Sequence, residues 1–363
     1  MAEQVFNVGV IGYGLSAKVF HIPFIQLTPQ FRLHSIVQRS PKEGNSAPAD
    51  YPDLKHYNDA NALIADPEVD IVVLSTTPDS HFDLTKAALE AGKHVLVEKP
   101  FVPTSAQAED LISIAKDKGR LICVYQNRRW DLDFLTAKHL ISQGQLGRVV
   151  EFNSHFDRYR ADAPTNWKAQ IGIPQAGSAL FDLGTHLIDQ TYVLFGLPQA
   201  VHGRLLNQRN GTPDFFNPDA VTIELTYADG LIVNLRISAL SAEVAQPRFW
   251  VRGTKGSFRT TGLDPQEDHL RAGGKATDAG FGAQDLESFR LTAVGDDGKI
   301  ISEVPVPALE PETYKALYAA FAKAVASRDA NEVPVKATEA RDVLRIIEGV
   351  IESAKTGKDA ILS

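Results

Sequence analysis

Cysteine is almost absent: the single Cys123 in 363 residues can form neither an internal disulfide nor a thiolate cluster, which fits a reducing compartment. A basic excess is absent too. The 37 lysines and arginines are outnumbered by 45 aspartates and glutamates, for a formal net charge of −8. Phosphate backbones and anionic lipid both need a clustered positive field, so neither nucleic acid nor membrane is expected as a partner. No uncharged run is long enough to span a bilayer, and Met1-Ala2-Glu3-Gln4 enters an apolar segment with no basic n-region or cleavage site. A cytoplasmic protein is expected. Internal repeats and low-complexity linkers are also lacking. What is present is the composition of a globular chain, 44% hydrophobic and 23% charged. At roughly 150 residues per domain, the length suggests two domains.

The first part, to about Val124, alternates short apolar runs with amphipathic stretches. Val8–Ile11, Phe31–Val37, Ile71–Leu74, Val95–Val97 and Leu121–Val124 read as buried parallel strands. Between them Asp79–Ala91 and Ser105–Lys118 read as crossover helices that stop at Gly92 and Gly119. This half is expected to be doubly wound α/β, with a parallel sheet. After Arg128 the rhythm changes to helices over Asp131–Ser142 and Ala179–Phe195, followed by strands over Ala220–Tyr227, Leu231–Ser238, Phe249–Arg252 and Ser257–Thr261. Asp229-Gly230 between two alternating runs is a hairpin signal. The second half is expected to be α+β with a mostly antiparallel sheet, closed by helices over Glu312–Ala326 and Thr338–Ala354. The boundaries expected are 1–126 for a dinucleotide-binding domain and 127–363 for a substrate-binding domain. The glycine-rich stretch from Asp264 to Gln284 is too long for a plain connection, and reads as a functional or mobile loop.

Gly12-Tyr13-Gly14-Leu15-Ser16-Ala17 lies between a strand and a helix, as Gly12-x-Gly14-x-x-Ala17. In a dinucleotide site the first glycine allows the tight turn, the second lets a pyrophosphate approach the backbone, and the third position must be small. The helix N-terminus adds amide groups and a positive dipole. About twenty residues further on, an NAD site places a carboxylate on the ribose hydroxyls. Gln38-Arg39-Ser40-Pro41-Lys42 stands there instead, so NADP is expected over NAD.

Glu98-Lys99-Pro100 follows a strand at the carboxyl edge of the sheet, where open α/β folds bind ligands. Asp182-Leu183-Gly184-Thr185-His186-Leu187-Ile188-Asp189 falls on the helix expected from Ala179. The i, i+4 spacing puts Asp182 and His186 on one face, and histidine suits proton transfer near neutral pH. These two could also ligate a metal, but no matching second histidine or cysteine pair occurs, and no metal is expected.

The glycine loop, Glu98-Lys99-Pro100 and Asp182-x-x-x-His186, in that order, resemble the glucose-fructose oxidoreductase, inositol dehydrogenase and MocA (Gfo/Idh/MocA) family over essentially the full length. His21 after the glycine loop, Tyr125-Gln126-Asn127-Arg128-Arg129-Trp130-Asp131 and the segment from Gln266 to Gly273 resemble its branch of NADP-dependent scyllo-inositol dehydrogenases. The resemblance implies Lys99, Asp182 and His186 as the catalytic set, and a Lys99–Pro100 bond often cis in relatives. It implies cofactor contacts from Gly12, Tyr13, Gly14, Leu15, Arg39, Ser40, Ser75, Thr76, Thr77, Pro78, His81, Glu98 and Lys99, with Asn127, Arg128 and Trp167 bordering nicotinamide or substrate. A polyhydroxylated substrate and a homodimer or homotetramer are also implied. Arg158, Tyr159 and Arg160 are candidate substrate contacts. One departure stands out: relatives often carry two or three glycines before the catalytic helix, and this chain has Gln175-Ala176-Gly177-Ser178. The activity so implied is hydride transfer between NADP and a secondary alcohol of a sugar or cyclitol. Two alternatives stay open from sequence: a non-catalytic dinucleotide-binding regulator, and a carbonyl reductase of a non-sugar substrate.

Overall fold

The structure, a computed structural model, describes residues 4–165 and 167–362, apart from the side chains of Trp167 and Glu303. Two compact units divide it. The first comprises Met1–Asn127, Gln266–Phe281 and Glu312–Arg341, the second Arg128–Pro265, Gly282–Pro311 and Asp342–Ser363. Among the described residues, no helix is long and apolar enough to cross a membrane.

In the first unit the strands β1 (Phe6–Ile11), β2 (Phe31–Val37), β3 (Lys55–Tyr57), β4 (Ile71–Leu74), β5 (His94–Val97) and β6 (Ile122–Val124) form a sheet in the order β3-β2-β1-β4-β5-β6. Every pairing is parallel. The doubly wound sheet read from the apolar runs is therefore present. β3 escaped that reading because Lys-His-Tyr has no apolar run; it is an edge strand with no buried residue. The chain reverses winding direction between β1 and β4, which opens the crevice at their carboxyl ends where such folds take ligands. Helix Ser105–Lys118 has the expected ends: the Thr104 side chain accepts from Gln107 N, and Gly119 takes φ 60°.

Two later segments return to this unit. From helix Thr313–Ser327, Tyr318 stacks on Phe24 at 5.8 Å between ring centroids, and Phe321 meets Phe31 at 6.2 Å. The stretch read as a long loop holds a helix, Gln266–Arg271, whose Gln266 Oε1 accepts from Tyr314 N at 3.0 Å. Phe281 packs on Phe24 at 6.5 Å. This stretch is thus packed into the core, because its few large apolar residues are the ones that anchor it.

In the second unit a ten-stranded sheet includes β7 (Val149–Asp157), β8 (Ala200–Asn207), β9 (Thr212–Pro213), β10 (Ala220–Thr226), β11 (Ile232–Ser238), β12 (Pro247–Gly253), β13 (Gly256–Thr261), β14 (Phe289–Val294), β15 (Ile300–Val304) and β16 (Ala360–Ile361). The order is β15-β14-β13-β12-β7-β11-β10-β8-β16, with β9 beside β8. All pairings are antiparallel except β7 with β11. The Asp229-Gly230 signal makes the β10–β11 hairpin, with Gly230 at φ 83°. One face of the sheet carries Phe152 and Phe249, against Phe195 of helix Thr185–Phe195.

Candidate active site

In the first unit the site grows from the turn after β1. Gly12 takes φ +103°, and a Cβ there would lie 2.2 Å from the Ser75 carbonyl oxygen, so only glycine fits between the ends of β1 and β4. Gly14 is different: it has ordinary φ, and nothing lies within 4 Å of where its Cβ would be. Ala17 is fully buried. The helix beginning here runs through a π turn at Ala17–His21 into Ile22–Leu27. Across the crevice the Ser75 hydroxyl is buried without a hydrogen-bond partner. Open space over Gly14, free helical amides and an orphaned hydroxyl opposite together fit the pyrophosphate and nicotinamide end of a dinucleotide.

Tyr13 closes one side of the turn. Its hydroxyl donates to Asp50 Oδ2 at 2.5 Å, and the Lys18 ammonium sits 4.5 Å over its ring. Burial, then the Asp50 hydrogen bond and charge, raise the Tyr13 phenol above its ordinary value, so it stays protonated. Leu15, two residues on, is exposed. After β2, Gln38 clips its own loop shut, donating to Asn45 O at 2.8 Å and accepting from Ala47 N at 2.6 Å. Arg39 and Ser40 lie exposed in that loop.

The loop after β4 turns on Pro78–Ser80, with Thr77 exposed and the Ser80 hydroxyl bonded to Thr76 Oγ1 at 2.7 Å. His81, expected to line the cofactor, faces a backbone carbonyl with each ring nitrogen. It is fully buried, with Nδ1 2.9 Å from Pro100 O and Nε2 3.3 Å from Thr76 O. Burial pushes its imidazole below the usual value, and the neutral ring, with one N–H, donates to only one of these two carbonyls. The Lys99–Pro100 bond is cis.

Glu98 is also buried. It accepts from Ser16 Oγ, from His21 Nε2 at 3.0 Å and from Lys99 N at 3.0 Å. Burial alone would raise its carboxyl; the His21 hydrogen bond and charge, with Lys99 and Ser16, outweigh burial and hold it below the usual carboxylate value. It is thus an ionised group facing inward. Lys99 itself is half-buried.

In the second unit Asp182 and His186 come from one helical stretch, but not with plain α geometry. Leu180–Gly184 forms a π turn before helix Thr185–Phe195, so Asp182 stands in a wider repeat than the α-helix expected. The Asp182 carboxylate accepts from Lys168 Nζ at 2.6 Å. His186 is buried, 5% exposed. Its helix is anchored by Asp189, which accepts from Arg129 Nε and Nη2 at 2.8 and 2.7 Å, and by Gln190, which donates to Arg128 O at 2.7 Å. Before this helix, Ala176 at φ 56° and Ser178 at φ 77° keep left-handed backbone without glycine, at about 1 kcal/mol each. Gly177 is obligatory, because a Cβ would meet Ile171 O at 2.3 Å.

Arg128, expected to border the nicotinamide or substrate, is buried and ion-paired. Its guanidinium donates to Asp131 at 3.0 Å and lies 4.9 Å over Phe156, 4% exposed. It belongs to a buried charge network with Asp133 and Arg248, and Arg248 donates to Asp133, Ser154 and Gln190. Burial, with the Asp264 charge, pushes the Asp131 carboxyl well above its usual range. Asn127, in the first unit, is buried as well. The Trp167 side chain lies outside the described residues. Tyr159 is exposed, and the chain beside it is fixed by Arg209, which donates to Ala161 O at 2.9 Å and pairs with Asp219 at 2.8 Å. Among the described residues one histidine-carboxylate cluster, His34, Asp66 and Glu68, is close enough to hold a cation. The Lys55 ammonium bonds Asp66 at 3.1 Å and Glu68 as well, in the place of such a cation.

Residues 6–126 match the family described as an oxidoreductase family with an NAD-binding Rossmann fold, and residues 134–259 match the GFO/IDH/MocA C-terminal domain. The chain belongs to the Gfo/Idh/MocA family. It is an NAD(P)-dependent oxidoreductase acting on CH–OH groups. The scyllo-inositol 2-dehydrogenase (NADP(+)) IolW of Bacillus subtilis is 35% identical over 359 residues, covering 98% of this chain and 96% of IolW. The oxidoreductase YdgJ of Escherichia coli is 40% identical over 352 residues, 96% of each chain. A solved structure of YvaA from Bacillus subtilis, classed as an oxidoreductase, superposes with a TM-score of 0.88 at 34% identity, covering 99% of this chain and all of the other. Within this family member, residue-by-residue reading named His21 and Ser16 without a role and missed Tyr318, Lys168 and Arg209. His21 had a signal, its place just after the glycine loop; the others depend on contacts between distant segments.

Proposed function

We propose that this family member interconverts a secondary alcohol and a ketone or lactone on a sugar or cyclitol, with NADP as the dinucleotide and Lys99, Asp182 and His186 as its catalytic set. The observation that carries the reading is similarity along nearly the whole chain to IolW, a scyllo-inositol dehydrogenase that uses NADP. The NADP choice is supported by Arg39 and Ser40, exposed after β2 where a carboxylate would select NAD.

Gly12, Tyr13, Gly14 and Leu15 would hold the pyrophosphate, Arg39 and Ser40 the 2′-phosphate, and Ser75, Thr76, Thr77 and Pro78 the nicotinamide side. Bound there, the dinucleotide supplies a two-electron hydride acceptor or donor. His186 takes the hydroxyl proton of the alcohol during oxidation and returns it during reduction. The Lys99 ammonium donates to the alkoxide oxygen as its charge develops, an interaction stronger in the transition state than before it. Asp182 orients a substrate hydroxyl. The test is single-site: Lys99→Ala and His186→Ala should each bind NADPH normally, yet lose turnover by about two orders of magnitude or more. Unaltered turnover in either refutes its assignment.

A further inference from the structure

We infer that His21 is a positioning residue which, through the Glu98 carboxylate, locks the start of the dinucleotide-binding helix to the backbone of Lys99. The inference rests on the reading of Lys99 and the glycine turn given above, and it adds a residue to which that reading assigns no role.

The argument is one of donors and acceptors. A carboxylate only accepts. Glu98 Oε1 takes Ser16 Oγ and His21 Nε2 at 3.0 Å, and Oε2 takes Lys99 N at 3.0 Å. Ser16 stands in the first turn of the helix after Gly14, so the carboxylate joins the phosphate end of the site to its lysine end. His21 has no exposed surface. Its Nδ1 lies 2.7 Å from the Tyr318 hydroxyl, and its ring packs on Tyr125 at 4.6 Å between centroids. That hydroxyl comes from helix Thr313–Ser327, 297 positions away, and also donates to Phe20 O at 3.4 Å; Nε2 must be the donor toward Glu98 because a carboxylate only accepts. Tyr125 in turn donates to Phe20 O at 3.0 Å, one residue before His21.

Glu98 is ionised and shielded from water, and a buried charge keeps one geometry only while its donors are in place. Without the His21 donor the carboxylate must turn toward water or take up a proton. Either movement shifts Ser16 and Lys99 together. His21 touches neither dinucleotide nor substrate in this account, and acts through Glu98.

The experiment compares His21→Leu, His21→Gln and Ser16→Ala in the full-length protein, reading NADPH affinity by nicotinamide fluorescence, kcat and KM separately, and the thermal midpoint. His21→Leu removes the donor; His21→Gln restores an amide donor of similar reach without the ring. His21→Leu should weaken NADPH binding and lower kcat, each about tenfold or more, and His21→Gln should recover most of both. Ser16→Ala should weaken NADPH binding in the same direction. Equal losses in His21→Leu and His21→Gln, tracking only the thermal midpoint, would reduce His21 to packing and overturn the inference. So would wild-type affinity and kcat in His21→Leu. Failure of the underlying reading has a separate signature: a wild-type protein that binds no dinucleotide, or a Lys99→Ala variant that turns over normally.

Discussion

Two glycines of the turn, Gly12 and Gly14, should fail in opposite ways when each is replaced by alanine. At Gly12 the φ of +103° is a conformation for glycine, and holding alanine there costs about 1–3 kcal/mol. The added Cβ would also stand 2.2 Å from Ser75 O, so the ends of β1 and β4 must part; overpacking of this kind adds about 1–3 kcal/mol. The sum, about 2–6 kcal/mol, is a large share of the roughly 5–15 kcal/mol that folded proteins have. At Gly14 the φ is ordinary and the Cβ meets nothing within 4 Å, so stability should stay within about 0.5 kcal/mol of the parent. That same open volume is where the pyrophosphate is expected, so Gly14→Ala should lose about tenfold or more in NADPH affinity, at least 1.4 kcal/mol. Urea midpoints and fluorescence titration measure the two effects. A Gly12→Ala variant as stable as the parent would refute the steric reasoning, and unchanged NADPH binding in Gly14→Ala would refute the placement of the phosphates.

Other outcomes follow from the same geometry. Arg39→Ala should weaken NADP far more than NAD in parallel titrations, and equal losses would remove Arg39 from 2′-phosphate recognition. Arg248→Ala should cost about 3–5 kcal/mol in urea unfolding, because it strands Asp133 in the core; a loss under about 1 kcal/mol would contradict the buried network. Although burial opposes it, the Glu68 amide, Tyr57 hydroxyl and Lys55 ammonium hold the Asp66 carboxyl at about 2. Its stabilising contribution is therefore complete above the ordinary value of 3.8 and fades as pH falls from there toward about 2. Asp66→Asn should flatten the acid limb of the stability curve over that window, and an unchanged slope would be the contrary result.

The parallel sheet was legible because strands buried on both faces must be apolar throughout, as Ile71–Leu74 is. The glycine turn was legible because the backbone at Gly12 admits one residue type. Lys55–Tyr57, an edge strand, owes its place to a neighbour and carries no apolar run of its own. The Gln266–Phe281 stretch looked like a loop because its glycines are frequent and its anchors few, yet Gln266 and Phe281 are enough to fasten it. His81 and Arg128 were read as ligand contacts from their place in motifs; their burial and their contacts with Pro100 O, Thr76 O and Asp131 depend on distant or folded-together segments that a motif does not reveal. The π turn at Leu180–Gly184 was beyond a reading that assumes an α repeat. The partnership of His21 with Tyr318 was equally hidden, since nothing in a local pattern marks a hydrogen bond between residues 297 positions apart.

The most direct test of the account is to mix the purified protein with NADP, and separately with NAD, against a panel of inositols and aldoses, following the absorbance of the reduced nicotinamide. The account predicts reduction of NADP in preference to NAD with at least one cyclitol or sugar. Silence across the panel from a protein that still binds NADPH would contradict the proposed substrate class, and preference for NAD would contradict the reading of Arg39.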